Sequence, residues 1–426
     1  MACGPPMVDP TALQDLLSRY GVAGVSVAVI QPGDGSGVVR CQTAGMANKE
    51  KEIPVYDSTW FELASLSKTV AAAFASRYFE AKGKSMATTT VQPLLQECGT
   101  SYRLQSAEGN PPEWADEVTL GQLVDHTGLG MHYVNGVPLS KPMPPVLDLI
   151  SGTKESPAPY GYACLHLTKK PGTAFGYSGG GFLVLQLLLE QYEGKPIADI
   201  MQPYLAEAGT AVNLGVSFAQ ELPGKNYAIG YRDSGERVED TRLMFPPLAA
   251  GALGTPAGLA DWLRQLAVAF KKPEGCGGIS HRVAKEILTP GPDKGSEAFM
   301  RAKMGLGVFV FEAASAPGAP ASKWMLHQAA NDGFRGLYLI CFDGPEAAAG
   351  PRGIVVLSNG DNNAMFVNCA VSRMFLQSTV AFEPALQCLD WSTVPSLDGF
   401  STAGLKQEEI VNLGIKDLVL NAFIKP

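Results

Sequence analysis

Apolar positions along this chain change register twice. Residues 24–31, GVSVAVIQ, and 38–45, VVRCQTAG, are dense in β-branched and apolar side chains on either side of the turn-forming GDGSG at 33–37. That arrangement predicts a β-hairpin. Ahead of it, helical spacing over 9–20 predicts a first helix, and residues 1–8 read as disordered. A longer helix is expected over 62–82. Leu63, Leu66, Val70 and Phe74 recur there on one side, and Ala71, Ala72, Ala73 and Ala75 favour a helix that packs closely. From about 83 to 249 the β patterning gives way to Pro- and Gly-rich loops and separate helical stretches. One runs over 118–130 and closes on a glycine turn; another, 179–205, is split by a glycine stop. A third spans 253–270, with Thr255 as its cap and Pro256 in its first turn.

After residue 300 strands return at 305–312, 323–329, 335–342 and 353–360, followed by a closing helix over 366–382. Short connections between these late strands favour antiparallel pairing. The chain is therefore expected to be α/β of the α+β type, a central antiparallel β-sheet flanked by helices with an inserted, mostly helical subdomain. The sheet part is expected from about 9–82 and 250–383, and the helical part from about 83–249. Residues 384–426 form a C-terminal extension of unassigned role, with one helix expected over 407–423.

Composition narrows the function classes. At 426 residues, 46% hydrophobic and 17% charged, the chain has ample material for a core. A net charge of −8 without any basic run argues against a nucleic-acid partner. No apolar run is long enough to span a membrane, and MACGPPMVDP lacks a signal-peptide pattern. The eight cysteines (Cys3, Cys41, Cys98, Cys164, Cys276, Cys341, Cys369 and Cys388) stand apart, without ligand spacing. Reduced thiols in a cytoplasmic protein are the expectation, not a disulfide frame or a zinc site. His126 and His132 lie across a glycine turn with no carboxylate at ligand spacing, so no metal and no cofactor are expected.

Three polar clusters carry the candidate chemistry. In the 62–82 segment, Ser65 and Lys68 are three positions apart and would share a helix face. A partly desolvated lysine gives up its proton more easily and can accept that of a serine, which makes the serine a nucleophile. At 171–182, PGTAFGYSGGGF places Tyr177 before an apolar helix, where its phenol could relay a proton. At 327–334, HQAANDGF ends a strand with backbone N–H groups that could, with that of Ser65, receive a developing oxyanion. A competing reading takes Gly176-Tyr177-Ser178-Gly179-Gly180 as a Gly-Xaa-Ser-Xaa-Gly elbow of an α/β-hydrolase. That elbow requires a buried strand before it, and LTKKPGTAF is a poor one.

Taken in order, these segments resemble the serine β-lactamase-like, penicillin-binding-protein-like family, especially its class C branch with esterases and D-aminopeptidases. Ser65-Leu66-Ser67-Lys68 matches the family's Ser-Xaa-Xaa-Lys. Tyr177-Ser178-Gly179 stands where the family has Tyr-Xaa-Asn, and HQAANDGF follows a His-Gly-Gly-Gly-Xaa-Pro-Gly-Phe pattern. TLGQLVDHTGLG (119–130), LAAGALGTPAGLADWL (248–263) and GIVVLSNG (353–360) are similar to further family segments, so the resemblance covers roughly 9–383. It implies a β-lactamase/transpeptidase-like fold with a cleft between its two parts. It also implies catalysis by Ser65, Lys68 and Tyr177 and an oxyanion hole from the N–H groups of Ser65 and Ala330. Gly179, His327, Gln328 and Ala329 would then contact a small-molecule ester or amide. Gly179 in place of asparagine, and Ala329 and Ala330 in place of glycines, point away from β-lactams and towards esters. The expected activity is that of a carboxylesterase or transacylase working through an acyl-serine. A non-catalytic binding protein of the same fold is the bland alternative.

Overall fold

The computed structural model describes residues 8–32, 38–130, 136–152, 164–210, 215–222, 224–300, 302–314 and 318–377. The expectations for residues 1–7, the turn at 33–37 and the extension 384–426 with its helix lie outside these, as do Cys3, Cys388 and His132. The frame is an eight-stranded antiparallel sheet. Its strands, in chain order, are β1 (Gly24–Gln31), β2 (Val38–Asn48), β3 (Ile53–Pro54), β4 (Lys303–Met304), β5 (Phe309–Ala314), β6 (Ala321–Asn331), β7 (Phe334–Asp343) and β8 (Arg352–Ser358). They lie side by side as β3-β2-β1-β8-β7-β6-β5-β4, so the two ends of the chain meet where Val25 of β1 pairs with Ser358 of β8. The antiparallel sheet expected from both ends of the chain is thus the observed one.

The central strands β1, β7 and β8 are buried on both sides because both faces of the sheet are covered there. Val25, Val27 and Val29 face one core with Leu13 and Leu17 of α1 (Pro10–Tyr20) and Phe366 and Val367 of α5 (Asn362–Gln377). Ala28 and Ile30, one register on, face the other core with Trp262, Leu263 and Leu266 of α4 (Pro256–Lys271). The hydroxyl of Thr255 caps α4 by accepting the Gly258 N–H at 3.1 Å, as its sequence announced.

Several boundaries moved for identifiable reasons. The helix expected over 62–82 begins only at Ser67, as α2 (Ser67–Ala81). Before it, Phe61 and Glu62 pair with Gly254 and Leu253, and Ala64–Leu66 form a 3-10 turn. The apolar stripe foreseen on one side of α2 is instead burial all round, from Ser67 to Ser76. The 118–130 segment is helical only over Leu120–Val124, opened by a Thr119/Gln122 capping box, and it stops at His126 with φ 61°, not at a glycine. The 179–205 segment does split, into α3 (Gly180–Glu193) and Ile197–Leu205, at left-handed Gly194. The strand expected at 305–312 starts at Phe309, since Gly307 (φ 69°) turns the chain against α2, where a Cβ would lie 2.6 Å from the Lys68 carbonyl oxygen. Finally, α5 begins at Asn362, ahead of the expected 366.

Candidate active site

Ser65 sits in the 3-10 turn between the Phe61–Glu62 strand and α2. The turn is tightly held. Leu63 N–H donates to Ala252 O at 2.8 Å, and the Ser67 hydroxyl donates to Ala64 O at 2.6 Å while accepting Ala252 N–H at 3.1 Å. Ala64 is left-handed at φ 45°, an uncommon conformation for a residue with a Cβ, directly before Ser65.

Lys68 comes one turn later and is 1% exposed. Its Nζ lies 3.1 Å from Ser65 Oγ and donates to Ala249 O at 2.5 Å. Around it lie the rings of Tyr177, 5.1 Å away, and Phe182, 5.5 Å away. Burial alone draws its pKa from 10.5 down to about 7. A neutral amine that spends one N–H on Ala249 O can turn its lone pair to the Ser65 hydroxyl.

Tyr177 is buried and hydrogen-bonded to Ser65, and burial raises its pKa, so the phenol stays protonated at neutral pH. Its place is fixed by His126, which sequence reasoning had weighed only as a metal ligand. The His126 carbonyl accepts Gly176 N–H at 2.8 Å and its Nδ1 accepts Ser178 N–H at 3.2 Å. The two rings lie 4.3 Å apart. Desolvation, then repulsion from Lys68, keeps His126 neutral.

The third wall is the end of β6. The β5 pairing stops at Leu326, so among the described residues the 327–331 edge has no strand neighbour on that side. Gln328 N–H donates to His327 Nδ1 at 2.8 Å, which turns that backbone away from the β7 ladder. Backbone direction repeats every second residue, so Ala330 N–H faces the same side of the strand as Gln328 N–H. His327 is 2% exposed, and desolvation holds its pKa at about 3. These parts border a common, partly open cleft. Ser65, Tyr177, His327, Gln328, Ala329 and Ala330 line it. Phe299, Met300, Phe309 and Met365 complete it; no pattern in their segments singled them out. Gly179, expected to contact substrate, is buried directly ahead of α3 and is not among these lining residues.

The elbow reading of Ser178 finds no support in this geometry. No strand directly precedes it, the main sheet is antiparallel, and its hydroxyl accepts Gly180 N–H at 3.0 Å. Among the described residues no group of three His, Cys, Asp or Glu side chains could hold a metal, and no helix is long and apolar enough to cross a membrane.

An antiparallel sheet with a buried Ser-Xaa-Xaa-Lys turn and a facing tyrosine defines the class of penicillin-binding and β-lactamase-like proteins. The chain belongs to the beta-lactamase family, whose model matches residues 11–374. It is 27% identical over 266 residues to a beta-lactamase of Pseudomonas fluorescens, spanning 62% of this chain and 63% of that protein's length. Similar solved structures include the octameric penicillin-binding protein homologue of Pyrococcus abyssi (TM-score 0.60, 18% identity, 89% of this chain and 80% of that one). Another is the D-alanine carboxypeptidase AmpC of Burkholderia cenocepacia (TM-score 0.58, 20% identity, 87% and 100%). A third is the D-amino acid amidase of Ochrobactrum anthropi SV3 (TM-score 0.55, 18% identity, 86% and 97%). At these identities the structures share the fold of this chain, the β-lactamase/transpeptidase fold.

Proposed function

We propose that this member of the family is a serine hydrolase of neutral esters, working through an acyl-Ser65 intermediate. The observation that carries the reading is the buried Lys68 amine, 3.1 Å from Ser65 Oγ, with its pKa drawn down to about 7. As Ser65 Oγ bonds to the acyl carbon, its proton passes to Lys68 Nζ. The carbonyl oxygen becomes an oxyanion and is received by the N–H groups of Ser65 and Ala330. The proton then reaches the leaving alkoxide through the Tyr177 phenol, which stays neutral and relays without acting as the base. Water attacks the acyl-serine by the same route in reverse. An alcohol or amine entering instead makes the enzyme a transacylase. We place this chemistry in a unit of residues 9–383, with its sheet part from about 9–82 and 250–383 and its helical part from about 83–249.

The cleft lining supports the choice of ester. Phe299, Met300, Phe309, Met365 and Ala329 are apolar, and the imidazole of His327 is neutral. Among the described residues, no arginine or exposed lysine lines the cleft. A β-lactam or a D-alanyl peptide would bring a carboxylate against this apolar lining, which is unfavourable. The test compares kcat/KM for p-nitrophenyl butyrate, mono-p-nitrophenyl succinate, a chromogenic cephalosporin and a D-alanyl p-nitroanilide. The butyrate is expected to be turned over fastest. Faster turnover of the cephalosporin or the anilide would overturn the ester assignment.

A further inference from the structure

Outside the serine, lysine and tyrosine, one buried polar contact joins three parts of the site. Glu62, three residues before Ser65, is 3% exposed, and its Oε2 accepts a hydrogen bond from Asn331 Nδ2 at 2.6 Å. Asn331 directly follows Ala330 and is 6% exposed. Its amide also donates to Ala250 O at 3.0 Å, and the neighbouring Ala249 carbonyl is the one that holds Lys68 Nζ. A single carboxyl–amide pair thus ties together the strand that leads into the nucleophile, the end of β6 and the turn behind the lysine.

Resting on the serine-hydrolase reading above, we infer that Glu62 and Asn331 are positioning residues that set the distance between the Ser65 and Ala330 N–H groups. The chain on either side is short and stiff. Between Glu62 and Ser65 lie Leu63, bonded to Ala252, and the 3-10 turn; between Asn331 and Ala330 there is one peptide bond. A shift at the carboxyl–amide contact is therefore passed to the two donors with little slack, and oxyanion stabilisation is steep in donor geometry.

The charge state suits that role. Desolvation raises the Glu62 pKa to about 8, against the attraction of Arg242 and with the help of Asp332, so the group is mainly a neutral acid at pH 7. Its carbonyl oxygen can still accept the Asn331 N–H, and Glu62 itself then adds no negative charge near the developing oxyanion. Glutamine offers the same acceptor in the same shape, whereas leucine offers none.

The test uses the full-length enzyme with p-nitrophenyl butyrate as substrate and phenylboronic acid as a reversible tetrahedral adduct of the serine. Glu62→Leu is expected to lower kcat roughly 10- to 100-fold, with KM little changed, below the loss for deleting a whole donor. The inhibition constant of phenylboronic acid should rise by a similar factor. Glu62→Gln should stay within about threefold of the parent on both measures, and Asn331→Leu should match Glu62→Leu, with little further loss in the double variant. Should Glu62→Leu not fold, Asn331→Leu and Glu62→Gln carry the comparison. A drop in kcat without weaker boronate binding would overturn the inference, since the loss would then not lie in the oxyanion site. Unchanged kinetics in Glu62→Leu or Asn331→Leu would overturn it alone. A parent that neither cleaves the ester nor binds the boronate through Ser65 would overturn the serine reading and this inference with it.

Discussion

Lys68 makes a prediction that links stability and catalysis through one number. A fall from 10.5 to about 7 means that the folded state disfavours the charged amine by about 5 kcal/mol, at about 1.4 kcal/mol per pH unit. Below pH 7 the amine is protonated in both the folded and unfolded chains, so the folded state bears the whole penalty. Between pH 7 and 10.5 the folded amine is neutral while the unfolded one still binds a proton, and stability rises with pH. Lys68→Met removes the penalty but leaves Ala249 O without its donor, a loss of about 1–3 kcal/mol. The variant should therefore be more stable than the parent at pH 6, by about 2–4 kcal/mol, and that advantage should shrink by about 3 kcal/mol by pH 9. Urea denaturation of both proteins at the two pH values measures this directly. The same shift raises the free-amine fraction at pH 7 about a thousandfold over an ordinary lysine. The acylation burst with p-nitrophenyl butyrate should accordingly rise with pH and level off above an apparent pKa near 7. A stability difference that does not change between pH 6 and 9, or a burst rate still climbing at pH 10, would refute the reasoning.

Other outcomes follow from the same geometry. Ser65→Ala should abolish ester hydrolysis and labelling by a fluorophosphonate, while Ser178→Ala should retain much of both; the reverse would restore the elbow reading. Tyr177→Phe should slow acylation roughly 100-fold, the usual scale for a positioned proton-transfer group, measured by stopped flow. Activity should survive exhaustive dialysis against EDTA; loss on chelation with recovery by zinc would sink the mechanism. Gly181→Ala should destabilise the fold by about 1–3 kcal/mol, since a Cβ there would lie 1.9 Å from the Leu123 carbonyl oxygen; thermal unfolding reads it.

Much of this protein was legible in the order of its residues. β-Branched runs near both ends, a poly-alanine helix after Ser65 and the capped start of α4 are local features, and local periodicity and capping decide such elements. The spacing of Ser65 and Lys68 was likewise visible, because side chains three apart near a helix start share a face whatever surrounds them. What surrounds them was decided only in three dimensions. The 3-10 turn at Ala64–Leu66 exists because Phe61 and Glu62 pair with a strand almost two hundred residues away, a contact no local window contains. The low pKa of Lys68 comes from burial on every side of α2, where the sequence showed one apolar stripe. His126 and Glu62 were passed over for the same reason: each acts through partners distant in the chain, Ser178 and Asn331. Gly179 lies directly ahead of α3 and outside the cleft lining, since a motif fixes position along the chain while the path into α3 decides which groups reach the cleft. Sequence by itself thus determined which groups could react, since reactivity begins with residue type and near spacing. Tertiary structure decided their protonation and their access, because desolvation and cleft shape are sums over neighbours from the whole chain.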